Sequence, residues 1–150
     1  MQVGIAVDHG GYVLKQAVCE SVSRWGYQIK DFGAHEYIPD DDYPDYVFAL
    51  SNALSRMDID RGIAVCGSGV GACIAANKVC GIRAGLISDV YSAHQGVEDD
   101  DLNMICLGAR VVGREYALEL IYTFLHAKFT CNQRHLRRIN KIKEMENKQR

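Results

Sequence analysis

The feature that most constrains this chain is a regular alternation of short apolar runs with segments of helical periodicity. The apolar runs end at glycine or polar residues, which is typical of buried strands. The segments between them carry apolar residues three and four positions apart, the spacing of one helix face. The pattern predicts a doubly wound (Rossmann-like) α/β domain, a three-layer sandwich around a five-stranded parallel sheet with an extra C-terminal helix. The predicted strands cover residues 3–7, 27–32, 62–66, 83–87 and 104–107.

The composition excludes several classes of protein. The 150 residues carry a formal net charge of −2, so the sequence predicts no basic surface for nucleic acid. No apolar run approaches the roughly 20 residues needed to cross a bilayer, and the N-terminus lacks the basic region of a signal peptide. We therefore expect a single cytoplasmic domain over residues 1–150, with neither a nucleic-acid nor a membrane partner.

The cysteines are best interpreted as free thiols. Several lie inside predicted strands or helices, and no CxxC pair occurs among Cys19, Cys66, Cys73, Cys80, Cys106 and Cys131. A reducing cytosol keeps such thiols reduced, and zinc or redox motifs usually need paired cysteines. The sequence therefore predicts neither disulfides nor a zinc site.

A glycine-rich turn joins the third predicted strand to the helix that follows, which is predicted to run to about Cys80, where Gly81 ends it. Cys66 ends the strand, and Ser68 stands within a series of glycines: Gly67, Gly69 and Gly71. Glycines let backbone N–H groups approach a ligand closely, and a helix N-terminus favours an anion and a thiolate. A thiolate there can remove a proton beside a carbonyl while the N–H groups hold the enediolate oxygen. Cys66 and Ser68 therefore mark the candidate reaction centre.

The residues of this turn leave other interpretations open. A plain strand-to-helix turn binds nothing, and Cys66 is then a small buried apolar residue. The spacing of Gly67, Gly69 and Ala72 also fits a relaxed dinucleotide-binding fingerprint, with Asp89 as the acidic residue after the next strand. That fingerprint normally follows a first strand, whereas this turn follows the third. A nucleotide- or dinucleotide-binding module is therefore the alternative from another functional class.

Two further polar groups are suited to a phosphorylated ligand. Asp8 and His9 follow the first predicted strand, which places them at the same edge of the sheet as Cys66. Arg134 and Arg138 share one face of the C-terminal helix, where guanidinium groups can bind a phosphate dianion. The alternatives are a helix cap beside a solvated histidine for the first group and an ordinary solvated basic face for the second.

These segments together resemble the type B ribose-5-phosphate isomerase family, which also includes galactose-6-phosphate isomerase subunits. The resemblance implies a metal-independent aldose–ketose isomerase of phosphorylated sugars that needs no cofactor. It also implies a cis-enediolate intermediate and a homodimer or a dimer of dimers. The matching segments, in chain order, are Asp8-His9-Gly10-Gly11, Asp42-Tyr43-Pro44, Cys66-Gly67-Ser68-Gly69-Val70-Gly71, Ala75-Ala76-Asn77-Lys78, Gly81-Ile82-Arg83-Ala84, Asn103 and Gly108-Ala109-Arg110-Val111-Val112-Gly113.

The resemblance also assigns roles to individual residues. Cys66 is the base that moves a proton between C1 and C2, Ser68 assists it, and the amides from Gly67 to Gly71, including Gly69 and Val70, form the anion hole. The partner subunit supplies some of the substrate contacts, so helix 131–150 is expected to pack on that partner. The assigned contacts are Asp8 and Tyr43 to the sugar, His9, Arg110, Arg134 and Arg138 to the phosphate, and Asn103 as a further substrate-binding position.

One position departs from the family pattern. Many relatives carry a histidine, proposed to open the furanose ring, where this chain has Asp99. Asp99 itself, or His94 about one helical turn earlier, is the expected substitute. The alternative is a substrate that needs no ring opening, such as a four-carbon sugar phosphate. Ribose 5-phosphate and ribulose 5-phosphate are the default pair, with a four- or six-carbon sugar phosphate as the alternative.

Overall fold

A computed structural model describes residues 1–148, which form five strands and six helices. No helix in this range has the length and apolar character needed to span a membrane. In chain order the elements are β1 (Gln2–Val7), α1 (Tyr12–Arg24), β2 (Gln28–Asp31), α2 (Tyr43–Ser55), β3 (Arg61–Cys66), α3 (Val70–Ala76), β4 (Ala84–Leu86), α4 (Val90–Asp100), β5 (Met104–Gly108), α5 (Arg114–His126) and α6 (Gln133–Lys148).

The strands form one parallel sheet in the order β2-β1-β3-β5-β4. The central strand, β3, pairs with β1 on one side and with β5 on the other, and Cys66 lies opposite Gly108. Successive connections change direction between β1 and β3. Doubly wound sheets bind their ligands at the carboxyl ends of the strands beside such a switch point. Cys66 ends β3 at this position.

Helices cover both faces of the sheet, because side chains along each strand alternate between two cores. On one face, Ile63 and Val65 of β3 pack in a core with α1, α4 and α5. On the other face, Ala64 and Cys66 pack with α2 and α3. Alanines from α3 and from the strands make up much of this second core, which lets α3 lie close to the sheet. The predicted three-layer α/β sandwich is confirmed.

The helix after the glycine-rich turn is shorter than the sequence predicts. The prediction that this helix continues to about Cys80 is wrong, because α3 ends at Ala76. The Asn77 side chain explains the early end: its amide donates to the Ala84 carbonyl at 2.9 Å, and its carbonyl accepts the Ala84 N–H at 3.0 Å. These two bonds tie the chain to the start of β4, and Gly81 turns it with a φ of +80°.

The C-terminal helix α6 divides its thin apolar stripe between two environments. His135 and Ile139 are buried, and α6 contacts α4 of the same chain. Ile142 and Met145, further along the stripe, are 54% and 60% exposed. The predicted packing of helix 131–150 on a partner subunit therefore concerns the second half of the stripe, and residues 149–150 lie outside the described range.

The two valines of α1 test how this core contributes to stability. Val22 is fully buried and Val13 is 77% exposed. We expect Val22→Ala to lower the free energy of unfolding by about 2 kcal/mol, because it removes buried methyl groups and leaves a cavity. The matched Val13→Ala variant should stay within about 0.5 kcal/mol of the parent. Urea unfolding at fixed protein concentration, followed by circular dichroism, measures both, and equal effects would contradict the predicted packing of α1.

Candidate active site

The Cys66 thiol lies at the carboxyl end of β3 and is held there by the turn that follows. The residue is 4% exposed, and its Sγ accepts the Gly69 N–H at 3.0 Å. The helix α3 has only seven residues, so this direct donor is the clearest contact of the turn with the sulfur.

The conformation of the turn depends on two of its glycines. Gly69 has a φ of +81°, and a Cβ at this position would lie 2.9 Å from the Leu107 carbonyl carbon. A side chain is therefore excluded by the backbone conformation and by close contact with β5. A Cβ at Gly71 would lie 2.6 Å from the Tyr43 ring. Tyr43, the first residue of α2, thus packs directly over the start of α3.

The loop after β5 is fastened to the same turn. The Ala109 N–H donates to the Cys66 carbonyl at 2.9 Å, and the Arg110 N–H donates to the Gly67 carbonyl at 3.0 Å. The Arg110 guanidinium lies against Gly67, about 3.5 Å from where a Cβ would stand. The positive charge of Arg110 is therefore positioned beside the glycine-rich turn by backbone contacts.

The loop after β1 completes the arrangement. Asp8 is 6% exposed, and its Oδ1 accepts the Gly11 N–H at 2.8 Å. Gly10 packs on the Gly67 backbone so closely that a Cβ would lie 2.7 Å from the Gly67 nitrogen. His9 points its Nδ1 at the Asp41 carboxylate, 2.7 Å away. Asp8 thus closes the turn before α1, whose N-cap residue is Gly11, and also lines the cleft.

Three loops therefore surround one open cleft at the carboxyl edge of the sheet. The cleft has a volume of about 290 Å³. Its lining combines a thiol, a carboxylate, a guanidinium and two hydroxyls with glycine backbone. The lining residues are Asp8, Tyr43, Cys66, Gly67, Ser68, Gly71, Arg110 and Val111.

The remaining predicted site residues lie at the other edge of the sheet. Asn103 immediately precedes β5, five residues before Gly108, the partner of Cys66, and this is roughly 16 Å along a strand. Its side chain accepts the Arg83 N–H at 2.8 Å and donates to the Gly81 carbonyl at 2.9 Å. Arg134 and Arg138 are exposed on α6, which packs near the end of α4. The single chain does not bring these residues to Cys66.

Asp99, near the end of α4, also belongs to this second group, whereas His94 lies in the middle of that helix. His94 pairs with Glu98 at 3.0 Å on the exposed side of α4. Asp99 faces a different histidine: the Nδ1 of His135 on α6 lies 3.1 Å from its Oδ1. His135 is 4% exposed. An imidazole therefore stands beside Asp99, and α6 supplies it.

Several residues of the two groups were not singled out by sequence reasoning. Val111 lines the cleft, Asp41 holds His9 and His135 contacts Asp99. The acidic run before α2 was visible in the sequence, but nothing in it distinguished Asp41 from its neighbours. The pairing of His135 depends on how α6 folds back on α4, which has no local signal.

A second thiol, that of Cys73 on α3, has a lowered pKa. A hydrogen bond from the Cys106 thiol, opposed by burial and aided by the Asn77 amide, lowers the pKa of Cys73 to about 7. The same contact raises the pKa of Cys106. Thiolate is the reactive form of cysteine, so alkylating reagents near neutral pH are expected to modify Cys73. Loss of activity on alkylation therefore does not identify Cys66, and substitutions are needed.

The structure also allows the metal and dinucleotide interpretations to be examined. Among the described residues, Asp8, His9 and Asp41 place potential ligand atoms within 4.8 Å of one another. The 2.7 Å contact between His9 and Asp41 has the length of a hydrogen bond between these two groups.

Asp89 follows β4, which β5 separates from β3, and its carboxylate accepts the Ser92 N–H as a helix cap. Its position therefore does not fit the acidic residue of a dinucleotide site at the Cys66 turn.

Comparison with known proteins gives a consistent result. A model of the Ribose/Galactose Isomerase family matches residues 3–142. The ribose-5-phosphate isomerase B structure of Clostridium thermocellum is 43% identical, covers 100% of both chains and has a TM-score of 0.96. That of Mycoplasma genitalium, with bound ribulose-5-phosphate, is 36% identical over 97% of this chain and 96% of its own, with a TM-score of 0.92. The D-erythrulose-4-phosphate isomerase of Pectobacterium atrosepticum is 36% identical over 86% of this chain and 85% of its own length. The chain therefore belongs to the ribose/galactose isomerase family.

Proposed function

We propose that this protein interconverts ribose 5-phosphate and ribulose 5-phosphate as a cytoplasmic aldose–ketose isomerase. The observation that carries the proposal is the Cys66 thiol, which stands at the end of β3 in a cleft beside Asp8 and Arg110. A base, a set of backbone donors and a cation within one cleft match the needs of proton transfer next to a carbonyl.

The proposed reaction moves one proton between adjacent carbons. In the direction from aldose to ketose, the Cys66 thiolate removes the proton from C2, and the electron pair forms the C1–C2 double bond of a cis-enediolate. The thiol then returns the proton to C1. The O2 proton passes to O1, and the Ser68 hydroxyl, which lines the cleft, assists this transfer. No atom is gained or lost, so an organic cofactor has no role in this scheme.

The backbone donors of the turn divide between two tasks. The Gly69 N–H is bound to Cys66 Sγ, and the Val70 N–H donates to Ser68 Oγ at 3.3 Å. The first turn of a helix leaves its N–H groups without partners within the helix, so the Gly71 amide is available for a developing oxyanion. We therefore assign the Gly69 amide to the base and the Gly71 amide to the enediolate. This refines the anion hole expected over Gly67 to Gly71.

The phosphate contacts are expected to come from two copies of the chain. Arg110 belongs to the cleft of its own chain, whereas Arg134 and Arg138 lie at the opposite edge of the sheet. One arginine side chain is too short to reach along the length of β5 from that edge to the cleft. A homodimer that sets α6 of one copy against the cleft of the other brings both groups together, and the exposed Ile142 and Met145 provide apolar surface on the same helix.

The size of the sugar is the open choice within this chemistry. The ring-opening step of ribose 5-phosphate calls for an acid or base, and Asp99 with its neighbour His135 is the pair available at that position. A four-carbon sugar phosphate needs no such step, and one relative is a D-erythrulose-4-phosphate isomerase. A six-carbon aldose phosphate is the third possibility.

A panel of sugar phosphates tests the proposed activity directly. We expect the highest kcat/KM for the ribose and ribulose 5-phosphate pair among four-, five- and six-carbon aldose and ketose phosphates. Isomerisation is followed by NMR spectroscopy, which needs no coupling enzyme. A preference for the four-carbon pair would reassign the substrate while keeping the chemistry. Tight binding of NAD in a calorimetric titration, without turnover of any sugar, would support the dinucleotide-binding alternative instead.

Substitution of the base separates chemistry from binding. We expect Cys66→Ala to lower kcat by at least the roughly 10²–10⁴-fold typical of a lost general base. Calorimetric binding of ribulose 5-phosphate should change little, because Asp8, Arg110 and the turn amides remain. Cys131→Ser, at an exposed cysteine, is the matched control and should retain activity. Substantial turnover by Cys66→Ala would remove Cys66 from its role as base.

The basic residues of α6 test the phosphate contacts. Loss of one charged hydrogen bond costs about 1.5–3 kcal/mol, so Arg138→Ala should raise KM for the sugar phosphate by roughly tenfold or more. Arg137→Ala removes the same charge one position away on α6 and should leave KM nearly unchanged. Equal effects of the two variants would identify the cluster as a solvated basic face.

A mixing experiment tests whether the site is shared between subunits. The Cys66→Ala variant and an Arg134→Ala/Arg138→Ala double variant are each expected to be nearly inactive at low substrate concentration. Heterodimers formed by unfolding and refolding them together contain one intact site, which restores about a quarter of the parental activity at equal mixing. No recovery, with heterodimers demonstrated by native mass spectrometry, would place all site residues within one chain.

A further inference from the structure

The Asp41 carboxylate contacts both the backbone and the ring of His9 through one of its oxygens. Asp41 lies in the loop between β2 and α2, and its side chain is only 5% exposed. Its Oδ1 accepts the backbone N–H of His9 at 2.9 Å and contacts the ring Nδ1 at 2.7 Å. A buried carboxylate that binds both the backbone and the ring of one residue fixes that side chain in place.

The charges around His9 all favour its protonated form. The Asp41 hydrogen bond raises the pKa of His9, desolvation opposes it, and the Coulomb fields of Asp8 and Asp41 add to the increase. From α2, the Tyr46 hydroxyl faces the Asp41 carboxylate; burial and the charge of Asp41 raise the pKa of Tyr46, so it stays neutral. Asp8 and Asp41 are therefore the charged groups that act on the imidazole, with a neutral tyrosine behind Asp41.

We propose that Asp41 is a positioning residue that holds His9 as a fixed donor for the phosphate of the substrate. In the protonated imidazole, Nδ1–H is directed to Asp41 and the second ring nitrogen, Nε2, carries the other proton. The side chain of His9 is 32% exposed, so this proton is accessible to a ligand. The proposal rests on the proposed function, because it assumes that a phosphorylated sugar occupies the cleft beside Asp8.

The neighbouring acidic residues do not share this role. Asp40 and Asp42 are exposed, and neither acts on the pKa of His9. A divalent cation held by Asp8, His9 and Asp41 is the competing use of the same groups. Bound metal would require Nδ1 to lose its proton, whereas the dyad requires Nδ1 to keep it. The dyad therefore predicts a lower His9 transition when Asp41 is changed, whereas the metal site predicts a loss of metal binding.

The test compares Asp41→Asn with Asp40→Asn, which removes the same charge from the same loop. The His9 imidazole is titrated by NMR spectroscopy, with its signal assigned by its absence in His9→Gln. In the parent and in Asp40→Asn, we expect the His9 transition to lie above the ordinary value of about 6.5. In Asp41→Asn the transition should move down by about one pH unit, since the principal hydrogen bond to a charged acceptor is lost.

Kinetics give the second readout. A protonated His9 binds phosphate more tightly, so a lower His9 transition weakens substrate binding in the alkaline range. We expect KM of Asp41→Asn to rise roughly tenfold at about pH 8 and much less at about pH 6, with the effect in KM rather than kcat. Titration with inorganic phosphate should show the same dependence on pH. The Asp40→Asn control should match the parent in each measurement.

The outcomes separate this proposal from the proposed function. The NMR and phosphate titrations do not depend on turnover, so they report on the dyad even if no sugar phosphate is isomerised. An unchanged His9 transition in Asp41→Asn would overturn the positioning role, and so would an equal rise in KM at both pH values. Binding of Mn²⁺ or Zn²⁺ to the parent, lost in Asp41→Asn, would replace the dyad by a metal site.

Discussion

The hydrogen bond from the Gly69 N–H to Cys66 Sγ is the contact on which the rest of the site depends. It forms because Gly69 takes a left-handed conformation directly after the central strand, in a space that the β5 backbone leaves too narrow for any side chain. The same turn provides carbonyls that hold the β5–α5 loop. A change at Gly69 would therefore disturb the thiol, the neighbouring amides and the position of Arg110 together.

The direction of the strands explains why the site residues fall into two groups. In a parallel sheet with helical crossovers, residues just after strands gather at one edge, and residues just before strands gather at the other. Asp8, Cys66 and Arg110 follow strands, whereas Asn103 precedes one and Asp99 lies near the end of the helix before it. Residues that the family resemblance assigns to one site therefore need not lie close together within one chain. In the proposed homodimer, the second group serves the first across the interface between subunits.

The periodicity of the sequence was sufficient to predict the sheet, its layers and the edge at which Cys66 lies, because strand ends and helix faces are local properties. The end of α3 was mispredicted, since Asn77 bonds to Ala84, a residue distant enough that no local pattern reports it. The His9–Asp41 and Asp99–His135 pairs were missed for the same reason. Each joins segments that only the folded chain brings together, and each contains a residue type common on solvated surfaces.

The turn and the residues around it have different tasks in the proposed reaction. The thiol and the amides belong to one continuous turn, so the chemistry they permit is encoded locally and is readable from Cys66 to Gly71. In the proposed scheme, recognition of the sugar and its phosphate draws on β1, α2, β5 and α6, and its strength depends on contacts such as the one between Asp41 and His9. Relatives that share the turn can therefore keep proton transfer and exchange substrates by altering residues outside it. In the proposed scheme, the turn sets the reaction type, and residues outside it select the number of carbons in the substrate.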